Sequence, residues 1–204
     1  LDEIAGSDYA GSGNNGMLDI VDGLDWVSRN IAAFGGDPGN VMIFGESGGG
    51  AKTSCLYAMP AASPYFNKAS IESGPGVRMT PRETAAETTA MVLRELNIAA
   101  ADWRKLLDVP AADLLALQYR LPSLAPQTDT GNKKRGIMES SPGGFSPVVD
   151  GIVLPSHPFD PVAPEISGKK PLMVGWNEDE YTFFGMTSDD KSMFSIDFDG
   201  LPEA

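Results

Sequence analysis

The segment Gly45-Glu46-Ser47-Gly48-Gly49 holds the residues of this chain whose types and spacing could do chemistry. It fits the pattern G-x-S-x-G, in which a serine on a tight strand-to-helix turn projects its hydroxyl from the end of a sheet. Glycines at such a turn remove Cβ atoms that would clash there. The helix that follows aims unpaired N–H groups and its positive dipole end at a developing oxyanion. The chemistry indicated is nucleophilic acyl transfer, with Ser47 as nucleophile. A blander alternative is a glycine-rich turn whose serine only caps the helix. In a chain with 23 glycines the bare pattern can arise by chance, so a strand before it and a helix after it must support it.

Other residues nearby offer rival chemistry. Lys52 and Thr53 fit the end of the phosphate loop G-x-x-x-x-G-K-[ST], but Glu46 and Ala51 stand where its two framing glycines belong. A carboxylate at the first of these places is electrostatically wrong for polyphosphate, which counts against a nucleotide-binding protein. Farther along, Glu178, Asp179 and Glu180 form an acidic run that, on its residues alone, reads as a solvated helix start, where carboxylates favour the dipole. The residues alone do not choose among the three. The single histidine, His157, lies between Ser47 and this run. Triads are recognised by geometry, so chain order does not exclude it as a base. Pro155 and Pro158 mark an extended loop around it, and a loop histidine is the preferred reading.

The elements needed to position Ser47 are legible on both sides. Met17, Ile20, Val21, Leu24, Val27, Ile31 and Phe34 recur at steps of three or four, which predicts a helix with one apolar stripe. Asn15-Gly16 can start it, and Gly35-Gly36 can end it with a left-handed residue. Asp37-Pro38-Gly39-Asn40 is a turn. Val41 to Phe44 is an unbroken apolar run, expected to be a strand covered on both faces in a parallel sheet. Residues 45–50 form the glycine-rich corner, 51–59 the next helix, and 67–71 a second strand. Helices are expected over 82–96, 101–107 and 111–117, a loop over 121–144, and a third strand over 172–174. Helix, turn, strand, sharp turn, helix, strand is the order that builds an α/β fold.

Composition narrows the possibilities. Fifteen Lys and Arg against 28 Asp and Glu leave a net charge of −13, which repels phosphate backbones and anionic lipid and disfavours a nucleic-acid partner. At 42% apolar, the 204 residues can build a packed core. Cys55 has no partner for an intrachain disulfide, and no Cys/His cluster suits a structural zinc. No apolar run reaches membrane-spanning length. The N-terminal stretch is not a signal peptide, and a start on Leu1 suggests that sequence precedes it.

The stretch from Asn14 to Gly50, NNGMLDIVDGLDWVSRNIAAFGGDPGNVMIFGESGGG, resembles the nucleophile region of type-B carboxylesterases, the carboxylesterase/cholinesterase family of α/β-hydrolases. The likeness continues through AMPAASPYFNKASIESG, FSPVVDGIVLP and GWNEDEYTFF in collinear order, with 80–144 and the last two dozen residues matching weakly. What the resemblance implies is an incomplete α/β-hydrolase fold, the central portion of a mostly parallel sheet with flanking helices. Within it, 1–79 would be the nucleophile region, 80–144 a helical insertion and 145–204 the acid-residue region. The family's Ser–Glu–His triad would fall on Ser47 and Glu180. Gly48 would supply one oxyanion N–H, although the family commonly has alanine there. Glu46 and Ser73 would support the site, Glu46 by its charge and Ser73 beside the triad acid. The family's upstream glycine-rich oxyanion loop and its downstream histidine have no counterpart in these residues, so the chain by itself is expected to turn over little or nothing. The substrate implied is a small-molecule ester, with no metal or organic cofactor. The absence of disulfide partners looks more bacterial than like secreted animal relatives. Met59, Phe183 and Phe184 read as core instead of acyl pocket. A non-catalytic cholinesterase-like binding or adhesion module is the alternative, disfavoured because Ser47 and Glu180 are intact. Compartment and oligomeric state are left open.

Overall fold

The computed structural model describes residues 1–125, 142–180, 182 and 186. Its helices are α1 (Asp2–Ala5), α2 (Asn15–Asn30), α3 (Gly48–Ala58), α4 (Arg82–Glu95) and α5 (Ala111–Leu124), and its strands are β1 (Met42–Glu46), β2 (Lys68–Glu72), β3 (Thr80–Pro81), β4 (Val148–Val149) and β5 (Leu172–Gly175). Strands β1, β2 and β5 form a parallel sheet in that order, and β3 pairs with β4, also parallel. Parallel neighbours joined by long crossovers are what the alternating strand and helix signals require.

Helix α3 is the centre of the core. From Gly50 onward all of its residues but Lys52 are buried, as a helix enclosed on nearly every side must be. Cys55, Leu56, Tyr57 and Met59 pack with Ile43 of β1, Ala69 of β2, Phe66, and Met17 and Val21 of α2. Burial pushes the Cys55 thiol up to about 12. The helix stops at Ala58 because Met59 must be extended before Pro60 (φ −87°, ψ 122°). A second cluster of Met91, Val92, Leu117 and Leu121 joins α4 to α5.

Two polar clasps tie distant segments to this core. Buried Asn14 donates to the Val148 carbonyl (2.8 Å) and to Asp150 Oδ2 (2.9 Å), and accepts from the Val148 N–H (2.9 Å). Lys170 donates to the carbonyls of Ser63 and Phe66 and lies 3.9 Å from the Phe66 ring centroid, while Tyr57 Oη donates to the Lys170 carbonyl.

Four expectations need correction. The strand at 41–44 is not covered on both faces: Ile43 points into the core, while Met42 and Phe44 point out, Phe44 with 69% exposure. Only α3 and its neighbours cover a face here, and β5 is exposed along its length. The stripe of α2 loses its last member, because the chain tightens to a 3₁₀ turn at Ile31–Phe34 before Gly35 (φ 82°) and swings Phe34 outward against Trp26. The helix expected over 101–107 is a broken 3₁₀ stretch, Ala100–Asp108, with a non-helical Asp102. The helix expected to end at 117 runs to Leu124 with Pro122 in its last turn, so 121–124 is helix and not loop. Of the expected loop, 126–141 lies outside the described residues, as do Phe183 and Phe184.

Candidate active site

Ser47 sits where β1 ends and α3 begins, with φ 53° and ψ −118°. Its N–H continues the sheet ladder to the Glu72 carbonyl (2.8 Å), and its own carbonyl accepts the Ala51 N–H (3.1 Å) in the first turn of α3. A strand residue and a helix N-cap at once, it has no freedom to relax. The side chain is exposed, as are Glu46 and Gly48. Gly48 opens the helix, where N–H groups have no intrahelical acceptor. The helix therefore starts at 48, three residues before the sequence suggested, because the sharp turn itself supplies its first turn.

The glycines divide by task. A Cβ on Gly45 would lie 2.3 Å from the Gly49 carbonyl carbon, so position 45 must be glycine for strand and helix to meet. A Cβ on Gly49 would meet nothing within 4 Å, so the expectation that both pattern glycines avoid a clash holds for Gly45 alone. Gly74, not singled out in the sequence, is equally constrained: its Cβ would lie 2.1 Å from the Ser47 carbonyl oxygen. The only signal for it was its place directly after Ser73 at a strand end.

The neighbouring strand repeats the geometry. Ser73 follows β2 with φ 51°, and its N–H donates to the Gly175 carbonyl at the end of β5 (2.8 Å). Its hydroxyl donates to Glu180 Oε1, 107 residues away in sequence, and the Asn177 N–H donates to the same oxygen at 2.7 Å. These two donors, Asn177 first and Ser73 second, hold the Glu180 carboxyl below the usual carboxylate range. Of the three acids in the run, Glu180 is the one held by Ser73, while Glu178 and Asp179 are exposed. Ser47 and the Glu180 carboxylate thus lie at the same carboxyl edge of one sheet, Ser47 beyond β1 and the carboxylate bonded to Ser73 beyond the neighbouring β2. Glu46 and Glu72 are register partners at that edge, and Ser70 donates to Glu72 (3.0 Å).

His157 is not brought to Ser47 by any of these bonds. Its Nδ1 accepts the Met79 N–H at 3.1 Å, which fixes that nitrogen as the acceptor and ties the ring to the segment before β3. Thr53, the residue a phosphate loop would use on a metal, is buried inside α3. Among the described residues no group of three or more His, Cys, Asp or Glu could hold a metal ion, and no helix is long and apolar enough to cross a membrane.

A family model described as "Carboxylesterase family" matches residues 5–200. The para-nitrobenzyl esterase of Bacillus subtilis (strain 168) is 41% identical over 189 residues, 91% of this chain and 36% of that protein. The liver carboxylesterase of Sus scrofa is 37% identical over 175 residues, 83% of this chain and 30% of that protein. Among solved structures, a carboxylesterase of Geobacillus stearothermophilus superposes with a TM-score of 0.75 at 37% identity, over 98% of this chain and 39% of that one. The sheet and helices described above are accordingly a portion of an α/β-hydrolase fold. With a family model spanning nearly its whole length, this chain belongs to the carboxylesterase family.

Proposed function

We propose that this chain carries the nucleophile and the acid of a serine carboxylic-ester hydrolase. Ser47 attacks the ester carbonyl, the alcohol leaves, and water clears the acyl-enzyme. Gly48, at the start of α3, gives the developing oxyanion one N–H from a helix end that is fixed before substrate arrives. Glu180, held ionised by Asn177 and Ser73, orients a histidine supplied from outside these 204 residues and stabilises the imidazolium that forms. Glu46 and Glu72 add negative potential beside that cation. The substrate is a small-molecule ester.

The observation that carries the reading is the corner itself: an exposed serine at φ 53° between a parallel strand and a helix N-terminus, with a bonded carboxylate at the same sheet edge. The test is hydrolysis of p-nitrophenyl butyrate by the longest open reading frame that contains this chain. Turnover is expected, with a loss of about 10⁴-fold or more in kcat for Ser47→Ala. The 204 residues alone are expected to give no turnover above buffer. Undiminished hydrolysis by Ser47→Ala would refute the assignment.

A further inference from the structure

Helix α3 turns one face toward the strand ends. A Cβ on Gly50 would lie 3.0 Å from the Gly74 carbonyl oxygen and 3.1 Å from those of Glu72 and Gly45, and one on Gly76 would lie 3.3 Å from the Cα of Ala51. Together with the close approach of Gly74 to Ser47, these contacts lay residues 72–76 flat along the first two turns of the helix. Ser54 stands on that face, one turn beyond Gly50, and is fully buried. Its hydroxyl donates back to the Gly50 carbonyl (3.0 Å) and accepts the Gly76 N–H (3.0 Å). A hydroxyl bonded to the carbonyl four residues earlier slightly weakens a helix, so this one is not there for the helix. Its use is as an acceptor: with its proton committed to Gly50, a lone pair faces Gly76. Without it the Gly76 N–H, itself buried, would lose its partner.

Three residues before Gly76, Ser73 leaves β2 with its hydroxyl on Glu180 Oε1. Its φ of 51° is a strained value, and such a conformation persists only where its surroundings over-determine it. From the strand side the Gly175 carbonyl holds the Ser73 N–H. On the other side Gly74 packs on the Ser47 carbonyl and Pro75 has no N–H to give, so the bond from Gly76 to Ser54 fastens the turn. Helix α3 therefore carries the nucleophile at its N-cap and, two turns on, the anchor of the segment that holds the acid.

We propose that Ser54 is a positioning residue: through Gly76 it fixes the Ser73 hydroxyl, and with it the Glu180 carboxylate, against the helix that carries the nucleophile. This inference rests on the ester-hydrolase reading and deepens it. The experiment measures kcat and KM for p-nitrophenyl butyrate in the longest open reading frame containing this chain, with urea unfolding of each variant. Ser54→Ala is expected to lower kcat about fivefold and to leave KM within about twofold of wild type. In a Ser73→Ala background the same change should lower kcat by less than about twofold, because the link it breaks no longer leads to a donor on the acid. Thr53→Ser, a loss at the neighbouring buried position of the same helix, should lower the urea midpoint and leave kcat near wild type. Should Ser54→Ala fail to fold, Ser54→Cys, which keeps the shape and offers only a weak acceptor, is held to the same criteria. Equal losses of kcat from the Ser54 change in both backgrounds, no loss in either, or an equal loss in Thr53→Ser would overturn the inference and leave the hydrolase standing. Wild-type protein without turnover would overturn the hydrolase reading and this inference with it.

Discussion

Ser47 and Ser73 hold φ near +50° at the ends of neighbouring strands, in a region that costs a non-glycine residue of order 1–3 kcal/mol. Both N–H groups make ladder bonds, and Ser47 also accepts the Ala51 N–H in the first turn of α3, so the strain is held by the sheet. Close approach by glycines makes the turns possible, which leads to a paired prediction. Gly45→Ala drives a Cβ into the backbone of Gly49 and should cost about 2–4 kcal/mol in urea unfolding, whereas Gly49→Ala meets open space inside a helix and should be neutral or stabilising by up to about 1 kcal/mol. Ser73→Ala removes one of the two donors that lower the Glu180 carboxyl. A depressed carboxylate contributes stability above its unfolded value and loses it as pH falls through its folded value, so in Ser73→Ala the contribution should be smaller and its loss complete at a higher pH than in wild type. NMR titration of Glu180 should show the rise, with kcat down by about tenfold. At this scale the proposed nucleophile was legible by pattern, but the sequence could not separate Glu180 from Glu178 and Asp179. Only the fold brings a hydroxyl 107 residues away to one of the three.

Among the elements, those with a single strong pattern were legible and those set by tertiary context were not. Strand β1, the corner and α3 follow from an apolar run, a glycine cluster and a small-residue helix. The start of α3 was read late because three consecutive glycines have poor helix propensity, and the turn at Ser47 overrides it. The extension of α5 past Pro122 has the converse reason: proline forfeits an N–H bond to the preceding turn and so reads as a stop, but Leu121, fully buried against α4, holds the turn in place. Asn14 shows what composition cannot signal, since a polar residue in a Gly/Ser/Asn-rich stretch reads as loop surface and is a buried clasp instead. Asn14→Leu would leave the Val148 N–H and carbonyl buried without partners. It should cost about 2–4 kcal/mol in urea unfolding, far more than Asn15→Ala beside it, which is exposed. Cys55, buried in α3 with its thiol pushed up to about 12, should resist a thiol reagent such as DTNB at pH 8 until denaturant opens the core.

For the molecule as a whole, the sheet is covered on one side and bare on the other. Phe44 and Met173 flank Ser70 in one row of the register, and both are exposed, Met173 at 62%. The chain spans about 36% of the length of the para-nitrobenzyl esterase it matches, so this face is seen without whatever a longer chain would place on it. Apolar runs looked buried in the sequence because a parallel strand ordinarily has cover on both faces. The 204 residues alone should bind ANS and self-associate, more so in salt, which screens the repulsion of a −13 chain. Phe44→Lys with Met173→Lys should return them toward monomer in sedimentation velocity, and an unchanged distribution would mean that association comes from elsewhere. The account as a whole depends on the hydroxyl of Ser47 being an activated nucleophile. The most direct measurement is mass spectrometry after a fluorophosphonate is added to the longest open reading frame containing this chain. A single phosphonyl adduct on the peptide bearing Ser47, absent in Ser47→Ala, is the predicted result. An unlabelled Ser47 peptide in protein that hydrolyses esters would contradict it.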